Sequence, residues 1–436
     1  MIKLSSIQRF LYTVSFYLAI PILLLRLLWR SRYNAEYRSR WLERFGFIPA
    51  FRDQRPVIWL HAVSVGETIA ALPLIKKILE HYSHFQMVIT STTPTGASLV
   101  RKHFDQQVTQ LYLPFDLPRG VSRFLNSIKP SLGIILETEL WPNLLNQCYQ
   151  KKIPLLLANA RLSPKSLRSY QKINSLASDM LKCFSLVASQ AKKDEEHFLR
   201  LGLSKQKLKM VGNIKFDIEL SSDLIEKGHQ LRAEWGSERS TVIAASTHAG
   251  EEEKILESFK ALKAKFPNLL LILVPRHPER FDAVASLCLN HYQIARRSRR
   301  DRINAETDIL LVDTLGELLL FYAASQVAFV GGSWVPIGGH NLIEPAILGV
   351  PVLTGPYLHN FNEISHILLE AQAAKIVTNP IELSDTVEML LNDSSERESM
   401  GKRGKSTILL HRGSVEKHME CIQQLLKNKE SNCSQL

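Results

Sequence analysis

The chain has 436 residues, 45% of them hydrophobic and 22% charged, which is enough to fill more than one hydrophobic core and argues against disorder. Its five cysteines form no C-x-x-C pair and no cluster with histidine, so we expect free thiols in a reducing compartment and no structural zinc. The net charge of +12 would suit nucleic acid, an anionic membrane or a phosphorylated substrate, and its position along the chain separates these possibilities.

The positive charge is concentrated in residues 1–55, which carry ten Lys and Arg against three Asp and Glu, a net +7. Within this segment residues 10–25 hold no charge, a little short of the roughly 20 residues of a comfortable transmembrane helix. Arginines follow and no small-residue cleavage site does, so the sequence predicts an uncleaved membrane anchor over residues 1–32, with the rest of the chain in the cytoplasm. Anionic lipids, and not nucleic acid, are then the expected partner of the basic segment. A core helix of a soluble domain is the alternative.

An aromatic residue recurs every four positions after the anchor, at Tyr33, Tyr37, Trp41 and Phe45, with arginines in between. This spacing predicts a helix with one aromatic face edged by arginines. Such a helix could lie in the lipid headgroup layer or contact a phosphorylated amphiphile, and simple packing on a core is the alternative.

Two alternations of apolar runs with amphipathic segments follow, which predicts two α/β domains with mainly parallel sheets. We place the first domain at residues 33–217, a strandless linker at 218–240, the second domain at 241–410, and a helix and tail at 411–436. The expected strands of the first domain are residues 57–61, 87–90, 132–136, 154–158 and 186–189; those of the second are 241–247, 269–276, 308–313, 327–330, 351–354 and 374–378. Ligands of such sheets sit at the carboxyl ends of the strands.

Polar side chains are crowded at the strand ends of the first domain. Glu67 follows a glycine where a strand gives way to a helix, so its carboxylate could act as the general base for a sugar hydroxyl, although a first-turn glutamate that complements the helix dipole would look the same. Glu139 is the second choice for a substrate contact, and strand periodicity would put it on the same side as Glu137. The remaining candidates for binding a polyhydroxylated, anionic substrate are Ser64, Gly66, Thr92 and Arg161.

The second domain carries the residues expected to bind an anion or nucleotide. Residues 327–363 read as strand, glycine-rich loop and helix, but fit neither G-x-G-x-x-G nor a P-loop. Asn341 and Glu344 would lie on one face of that helix, where the glutamate could accept hydrogen bonds from a ribose. The other candidates for phosphate or nucleotide contacts are Ser246, Thr247, Arg276, His277 and Gly332. No metal-binding motif is present, so we expect group transfer from a nucleotide-linked donor without metal or cofactor.

Eight blocks in order, HAVSVGE, TSTTPTG, LPFDLP, ETELWPN, NARLS, VGNIKFD, VPRHPERF and GGSWVPIGGHNLIEP, resemble the transferases of 3-deoxy-D-manno-octulosonic acid (Kdo) in lipopolysaccharide assembly. The resemblance spans nearly the whole chain. It implies the GT-B fold, two Rossmann-like domains facing a cleft, and metal-free transfer of Kdo from CMP-Kdo to a lipid A precursor at the bacterial inner membrane. It implies Glu67 as catalytic base, inversion at the anomeric carbon, and nucleotide contacts from Arg276, His277, Gly332, Asn341 and Glu344.

Two other classes of function remain open at this point. A non-hydrolysing sugar-nucleotide epimerase has the same two-domain architecture but would be soluble, and the apolar N-terminal segment argues against it. A membrane-tethered binding protein without catalytic activity is disfavoured because four polar strand ends converge with a carboxylate within reach.

Overall fold

The computed structural model describes residues 4–49 and 55–433 and divides into two compact units. Unit 1 comprises Met1–Asp217 and Arg412–Leu436, and unit 2 comprises Ile218–His411. The first three residues of the predicted anchor, the last three of the predicted tail and the side chain of Cys433 lie outside what is described.

Unit 1 is built on a seven-stranded parallel sheet. Its strands are β1 (Val57–His61), β2 (Gln86–Ser91), β3 (Val108–Tyr112), β4 (Pro130–Leu136), β5 (Leu155–Ala160), β6 (Leu186–Ser189) and β7 (Leu208–Met210). The order is β3-β2-β1-β4-β5-β6-β7, so the winding direction reverses between β1 and β4. In doubly wound sheets the crevice at such a reversal is the usual ligand site. Strands β3 and β7 were not predicted from the sequence.

Helices cover both faces of this sheet, as buried parallel strands require. They are α1 (Leu4–Arg30), α2 (Val65–His81), α3 (Pro94–Phe104), α4 (Pro118–Ile128), α5 (Pro142–Gln150), α6 (Pro164–Gln171), α7 (Asn174–Lys182) and α8 (Lys192–Arg200). Several begin with a capping side chain or with proline, for example Ser64 before α2 and Thr93 before α3.

Unit 2 repeats the plan with strands β8 (Thr241–Thr247), β9 (Leu270–Pro275), β10 (Ile294–Arg296), β11 (Ile309–Leu311), β12 (Val327–Val330), β13 (Val352–Thr354) and β14 (Ala374–Ile376). The order is β10-β11-β9-β8-β12-β13-β14, all parallel, and the winding reverses between β8 and β12. Its helices are α9 (Leu224–Trp235), α10 (Glu252–Lys265), α11 (Phe281–Leu289), α12 (Leu318–Ala323), α13 (Ile343–Ile347), α14 (Asn362–Glu370), α15 (Pro380–Asn392) and α16 (Ser394–Leu410).

The segment assigned to a linker, residues 218–240, contains helix α9. This helix packs on α12 within unit 2. A Cβ atom at Gly228 would come within 2.6 Å of the Ala323 Cβ, so the glycine permits the close approach, and Trp235 stacks on Phe321.

The C-terminal region holds a separate helix where the sequence predicted a helix and tail, at residues 411–436. Gly413, at φ +94°, separates α16 from α17 (Ser414–Cys433), which returns to unit 1. Asp217 accepts hydrogen bonds from the backbone N–H groups of Gly413 (2.6 Å) and Val415 (2.5 Å) at the start of α17. His418 on α17 accepts the Asn159 N–H at the end of β5 (2.8 Å) through Nε2 and donates to the Ser414 carbonyl through Nδ1.

The helix predicted from the aromatic spacing of residues 33–45 is wrong. Two short 3₁₀ helices, Ala35–Arg38 and Trp41–Phe45, occupy this region, and Arg40 between them has a left-handed backbone. Arg44 is buried, donates to the Thr92 carbonyl (3.2 Å) and lies over the Tyr112 ring. Glu43, also buried, accepts the Tyr112 N–H (2.8 Å). Tertiary contacts with β2 and β3 therefore override the local periodicity.

Helix α1 is long and apolar enough to cross a membrane, and it alone among the described helices meets that test. One side of its N-terminal half contacts the helical layer of unit 1. Gln8 accepts the Leu176 N–H (3.0 Å), Arg9 donates to Asn146, and Thr13 donates to Asn143 (3.1 Å). The opposite side exposes large apolar side chains along its whole length: Leu4, Ile7, Leu11, Val14, Leu18, Ile22, Leu25 and Trp29.

We predict that unit 1 loses stability on mild acidification because of His418. Complete burial lowers the pKa of His418 to about 4 from its ordinary 6.5, so the unfolded chain binds the proton more readily than the folded protein does. The free energy of unfolding should therefore fall as the pH drops from about 7 to about 5, by about 2 kcal/mol for this histidine at about 1.36 kcal/mol per pKa unit.

Urea unfolding at the two pH values measures this. His418→Gln should be less stable at neutral pH but flatter in its pH dependence, whereas the control His81→Gln, at an exposed position of α2, should keep the slope of the wild type. An unchanged slope in His418→Gln would contradict the assignment.

Candidate active site

Glu67 lies in the first turn of α2, directly beyond β1 and beside the point where the winding of the unit 1 sheet reverses. Ser64 Oγ donates to Glu67 Oε1 (3.0 Å), the Val63 N–H donates to Oε2 (2.8 Å), and the Glu67 N–H returns to Ser64 Oγ (3.3 Å). This is a capping box of the S-x-x-E type. The capping role considered for Glu67 is therefore real, and the same bonds fix the half-buried carboxylate at the strand edge.

Two more carboxylates lie within electrostatic reach of Glu67. Burial raises the pKa of Glu67, and the charge of Glu137 adds to that increase against the opposing Val63 hydrogen bond. Burial and then the charge of Glu67 raise the pKa of Glu139 to about 7, although the Trp141 indole donates to it (2.9 Å). The three groups thus form an acidic cluster, the Glu67 cluster, in which neighbouring negative charges help to raise the pKa of Glu67 and of Glu139.

Strand periodicity does not explain how Glu137 and Glu139 come near each other. β4 ends at Leu136, and Glu137 has a φ of +55°, so the alternation of the strand does not continue through the pair. Lys215 lies 3.9 Å from Glu137 and provides a positive charge at the edge of the cluster. Lys215 belongs to the VGNIKFD block but was not predicted as a site residue, because nothing in its local sequence indicates its distant partner.

The other predicted substrate residues of unit 1 have separate surroundings. Thr92 donates to the Val63 carbonyl (3.1 Å) and so supports the loop that carries the capping box. Arg161 accepts the Thr138 hydroxyl at its backbone carbonyl, and its guanidinium is exposed. Gly66 is exposed, and a Cβ atom there would meet only Ser64 Oγ, at 3.9 Å.

In unit 2 the N–H groups of residues 332–334, in the glycine-rich loop after β12, point at a buried carboxylate. Glu251, fully buried, accepts the N–H groups of His248 (2.9 Å) and Gly332 (2.7 Å) on Oε2. Its Oε1 accepts those of Ser333 (3.0 Å) and Trp334 (2.8 Å). Gly332 was predicted to contact the nucleotide, whereas Glu251, the partner of these amides, was not predicted from the sequence.

Three histidines meet beside the same loop. The rings of His248 and His340 are parallel with their Nε2 atoms 2.8 Å apart, so one ring donates a hydrogen bond to the other, and His277 packs edge-on against His248. Burial, and then the neighbouring His248, Arg276 and His277, lower the pKa of His340 to about 4. Burial likewise lowers the pKa of His248. Both rings are therefore neutral at pH 7, and His248 and His340 were not predicted as site residues.

The remaining predicted nucleotide residues lie at the carboxyl edges of β8, β9 and β12. Arg276 and His277 are exposed after β9, and the charge of Arg276 reaches both His340 and Glu344. Asn341 donates to Glu344 (3.1 Å) and accepts the N–H of Ile343, the first residue of α13. That helix, predicted to follow the glycine-rich loop, has five residues.

Ser246 and Thr247 end β8. Ser246 has a φ of +57°, and its carbonyl would lie 2.9 Å from a Cβ atom at Gly331. The Thr247 hydroxyl donates to the buried Glu252 (2.8 Å), which pairs with Arg280 (2.6 and 3.0 Å). Among the described residues, no group of three or more His, Cys, Asp or Glu side chains is arranged to hold a metal ion.

Comparison with known proteins identifies the family. Residues 39–218 match the family model described as 3-deoxy-D-manno-octulosonic-acid transferase (kdotransferase). Over 96% of its length the chain is 42% identical to the 3-deoxy-D-manno-octulosonic acid transferase of Haemophilus influenzae, and the match covers 99% of that protein. The chain belongs to the Kdo transferase family. The resemblance drawn from the eight sequence blocks is thereby confirmed, and the protein is a glycosyltransferase.

Solved structures confirm the GT-B fold. The chain resembles a glycosyltransferase from Rickettsia africae, with a TM-score of 0.57 and 13% identity, over 86% of this chain and 100% of that one. It resembles UDP-GlcNAc 2-epimerase from Neisseria meningitidis equally well, with a TM-score of 0.57 and 14% identity, over 85% and 100% of the two chains. Transferase and epimerase therefore share the fold, and family membership favours the transferase.

Proposed function

We propose that this Kdo transferase takes Kdo from CMP-Kdo and passes it to a lipid A precursor, with Glu67 as general base and with inversion at the anomeric carbon. The observation that carries the proposal is the Glu67 cluster. It holds a half-buried carboxylate of raised pKa at the strand edge where the sheet reverses, and such a group is suited to accept a proton near neutral pH.

Each unit has a separate part in the proposed reaction. Unit 1 binds the acceptor, with Ser64, Gly66, Thr92, Glu139 and Arg161 as candidate contacts. Unit 2 binds the donor, with candidate contacts from Ser246, Thr247, Arg276, His277, Gly332, Asn341 and Glu344. What supports the donor assignment is the exposed Arg276, whose positive charge beside the histidines and Glu344 would offset a phosphate.

The proposed chemistry is a single displacement. Glu67 takes the proton from an acceptor hydroxyl, and that oxygen attacks the anomeric carbon of Kdo. The bond from this carbon to the phosphate oxygen breaks, and CMP leaves with the electron pair from the opposite face. Protein side chains, with no metal or cofactor, would stabilise the leaving phosphate.

Incubation with CMP-Kdo and a tetra-acylated lipid A precursor tests the function. The expected result is release of CMP together with a lipid heavier by one or more Kdo residues. Conversion of a sugar nucleotide to its epimer, or CMP-Kdo binding without any heavier lipid, would favour the epimerase or the binding protein instead.

We predict that Glu67→Gln lowers kcat by roughly 100- to 10,000-fold, because glutamine cannot accept the proton. The variant should remain folded, since a glutamine can complete the capping box through its carbonyl oxygen. Glu67→Ala should lose transfer to a similar degree and some stability as well. CMP-Kdo binding, measured by calorimetry, should be unchanged in both, and Glu80→Ala on the exposed side of α2 serves as control. Substantial turnover by Glu67→Gln would remove Glu67 from the base role.

We propose further that α1 attaches the chain to the cytoplasmic face of the bacterial inner membrane and lies in one leaflet. Its contacts through Gln8, Arg9 and Thr13 hold its first half against unit 1. The charge-free residues 14–25 that remain are about 18 Å long as a helix, short of the about 30 Å of a hydrocarbon core. The exposed apolar side of α1 would enter the lipid, and Arg26, Arg30 and Arg32 would contact anionic headgroups.

We predict that Leu18→Asp combined with Leu25→Asp releases the protein from vesicles containing phosphatidylglycerol, because each substitution places a charge on the exposed apolar side. Sedimentation with the vesicles measures the bound fraction. Leu289→Asp is the matched control, since Leu289 on α11 is 61% exposed and Leu25 is 65% exposed. Unchanged sedimentation of the double variant would contradict the attachment. If tags at the N- and C-termini were labelled from opposite sides of the membrane, α1 would span the bilayer, and the single-leaflet position would be contradicted.

A further inference from the structure

Glu251 accepts four backbone N–H groups in unit 2, three from the glycine-rich loop and one from His248. A carboxylate offers about four lone-pair directions, and here two N–H groups meet each oxygen at 2.7–3.0 Å. The side chain is fully buried, so no water competes for these bonds. Three of the four donors are the consecutive residues Gly332, Ser333 and Trp334.

The surrounding loop is shaped to admit this carboxylate. A Cβ atom at Gly331 would lie 2.9 Å from Glu251 Oε2, and a Cβ atom at Gly332 would lie 2.7 Å from the His340 ring. The Ser333 carbonyl accepts the Tyr357 N–H (3.0 Å), and its hydroxyl accepts the Gly355 N–H (2.8 Å). The polar backbone of residues 332–334 is thus largely engaged within unit 2.

The backbone N–H groups of residues 332–334 already bind the Glu251 carboxylate, so they are not available to an anionic sugar nucleotide. The positive or hydrogen-bonding groups left at the edges of β8 and β9 are side chains, namely Arg276, His277, His248 and His340. His248 connects Glu251 to His340, since its backbone N–H donates to the Glu251 carboxylate and its ring contacts the His340 ring. Glu251 consequently fixes the loop and the histidine pair together.

We infer that Glu251 is the positioning residue of the donor site. Its carboxylate occupies the loop amides that could otherwise bind a ligand anion, and it thereby sets the shape of residues 331–334. The phosphate of CMP-Kdo is then bound by the side chains of Arg276 and the adjacent histidines. The inference rests on the proposed binding of CMP-Kdo by unit 2.

Glu251→Gln tests this assignment because the change conserves shape but replaces one acceptor oxygen with an NH₂ donor. Two backbone N–H groups, at least one of them in the loop, would then face the NH₂ group, and the loop would open locally. We expect the KM for CMP-Kdo and the dissociation constant for CMP to rise by roughly tenfold or more, with the KM for the acceptor lipid within about twofold of the wild type. Hydrogen exchange of the amides of residues 332–334 should accelerate.

Glu252→Gln is the matched control, because Glu252 follows Glu251 in the chain and is equally buried but pairs with Arg280 and Thr247 and with none of the loop amides. It should lose thermal stability to a similar degree while the exchange of residues 332–334 stays as in the wild type. Glu251→Asp, which keeps both oxygens on a shorter side chain, should recover part of the donor affinity.

The inference is overturned if Glu251→Gln leaves loop exchange and donor KM unchanged. It is also overturned if this variant raises the KM for CMP-Kdo and for the acceptor lipid equally. The same holds if Glu251→Gln and Glu252→Gln have the same KM for CMP-Kdo and the same amide exchange in residues 332–334. Failure of the wild type to bind CMP or CMP-Kdo would instead overturn the proposed function. In that case faster loop exchange in Glu251→Gln would still show that the carboxylate holds the loop.

Discussion

Each unit depends on a glutamate carboxylate that accepts one or more backbone N–H groups just beyond a strand at which the winding of its sheet reverses. In unit 1 Glu67 follows Gly66, ten residues after the start of β1, and in unit 2 Glu251 follows Gly250, ten residues after the start of β8. The two turns are thus alike in position and sequence. They differ in how many bonds the carboxylate makes, since Glu67 takes one backbone N–H and one hydroxyl, whereas Glu251 takes four backbone N–H groups.

This difference supports the two proposed roles, proton acceptor for Glu67 and loop support for Glu251. Glu67 is half-buried, keeps unused lone pairs and lies among Glu137 and Glu139, which makes its proton affinity adjustable. Glu251 is fully buried and accepts four hydrogen bonds, so it can shape a loop but does not reach a substrate. A glycosyltransferase that binds an anionic sugar nucleotide has use for both, one carboxylate to accept a proton and one to fix the loop beside the donor.

The sequence predicted most of the fold because long apolar runs and glycine-marked turns are local signals. It missed β3, whose Thr109 and Gln110 interrupt the apolar pattern, and the three-residue edge strands β7 and β10. Arg44 lies in the aromatic segment for which lipid contact and core packing were both open, and it donates to the Thr92 carbonyl, 48 residues away. Glu67 could be found from its place after a strand. The pKa of Glu139 and the role of Glu251 depend on partners distant in the chain, which no local pattern reveals.

The pH dependence of kcat/KM for Kdo transfer tests the central claim, that Glu67 acts as a base within an acidic cluster. The raised pKa of Glu67 predicts that activity falls with acidification at a pH above the ordinary 4.5 of a glutamate. Glu137→Gln removes the neighbouring charge that contributes to this rise, so the acid limb should move to lower pH while CMP-Kdo affinity stays the same. An acid limb that is identical in the wild type and Glu137→Gln would contradict the account.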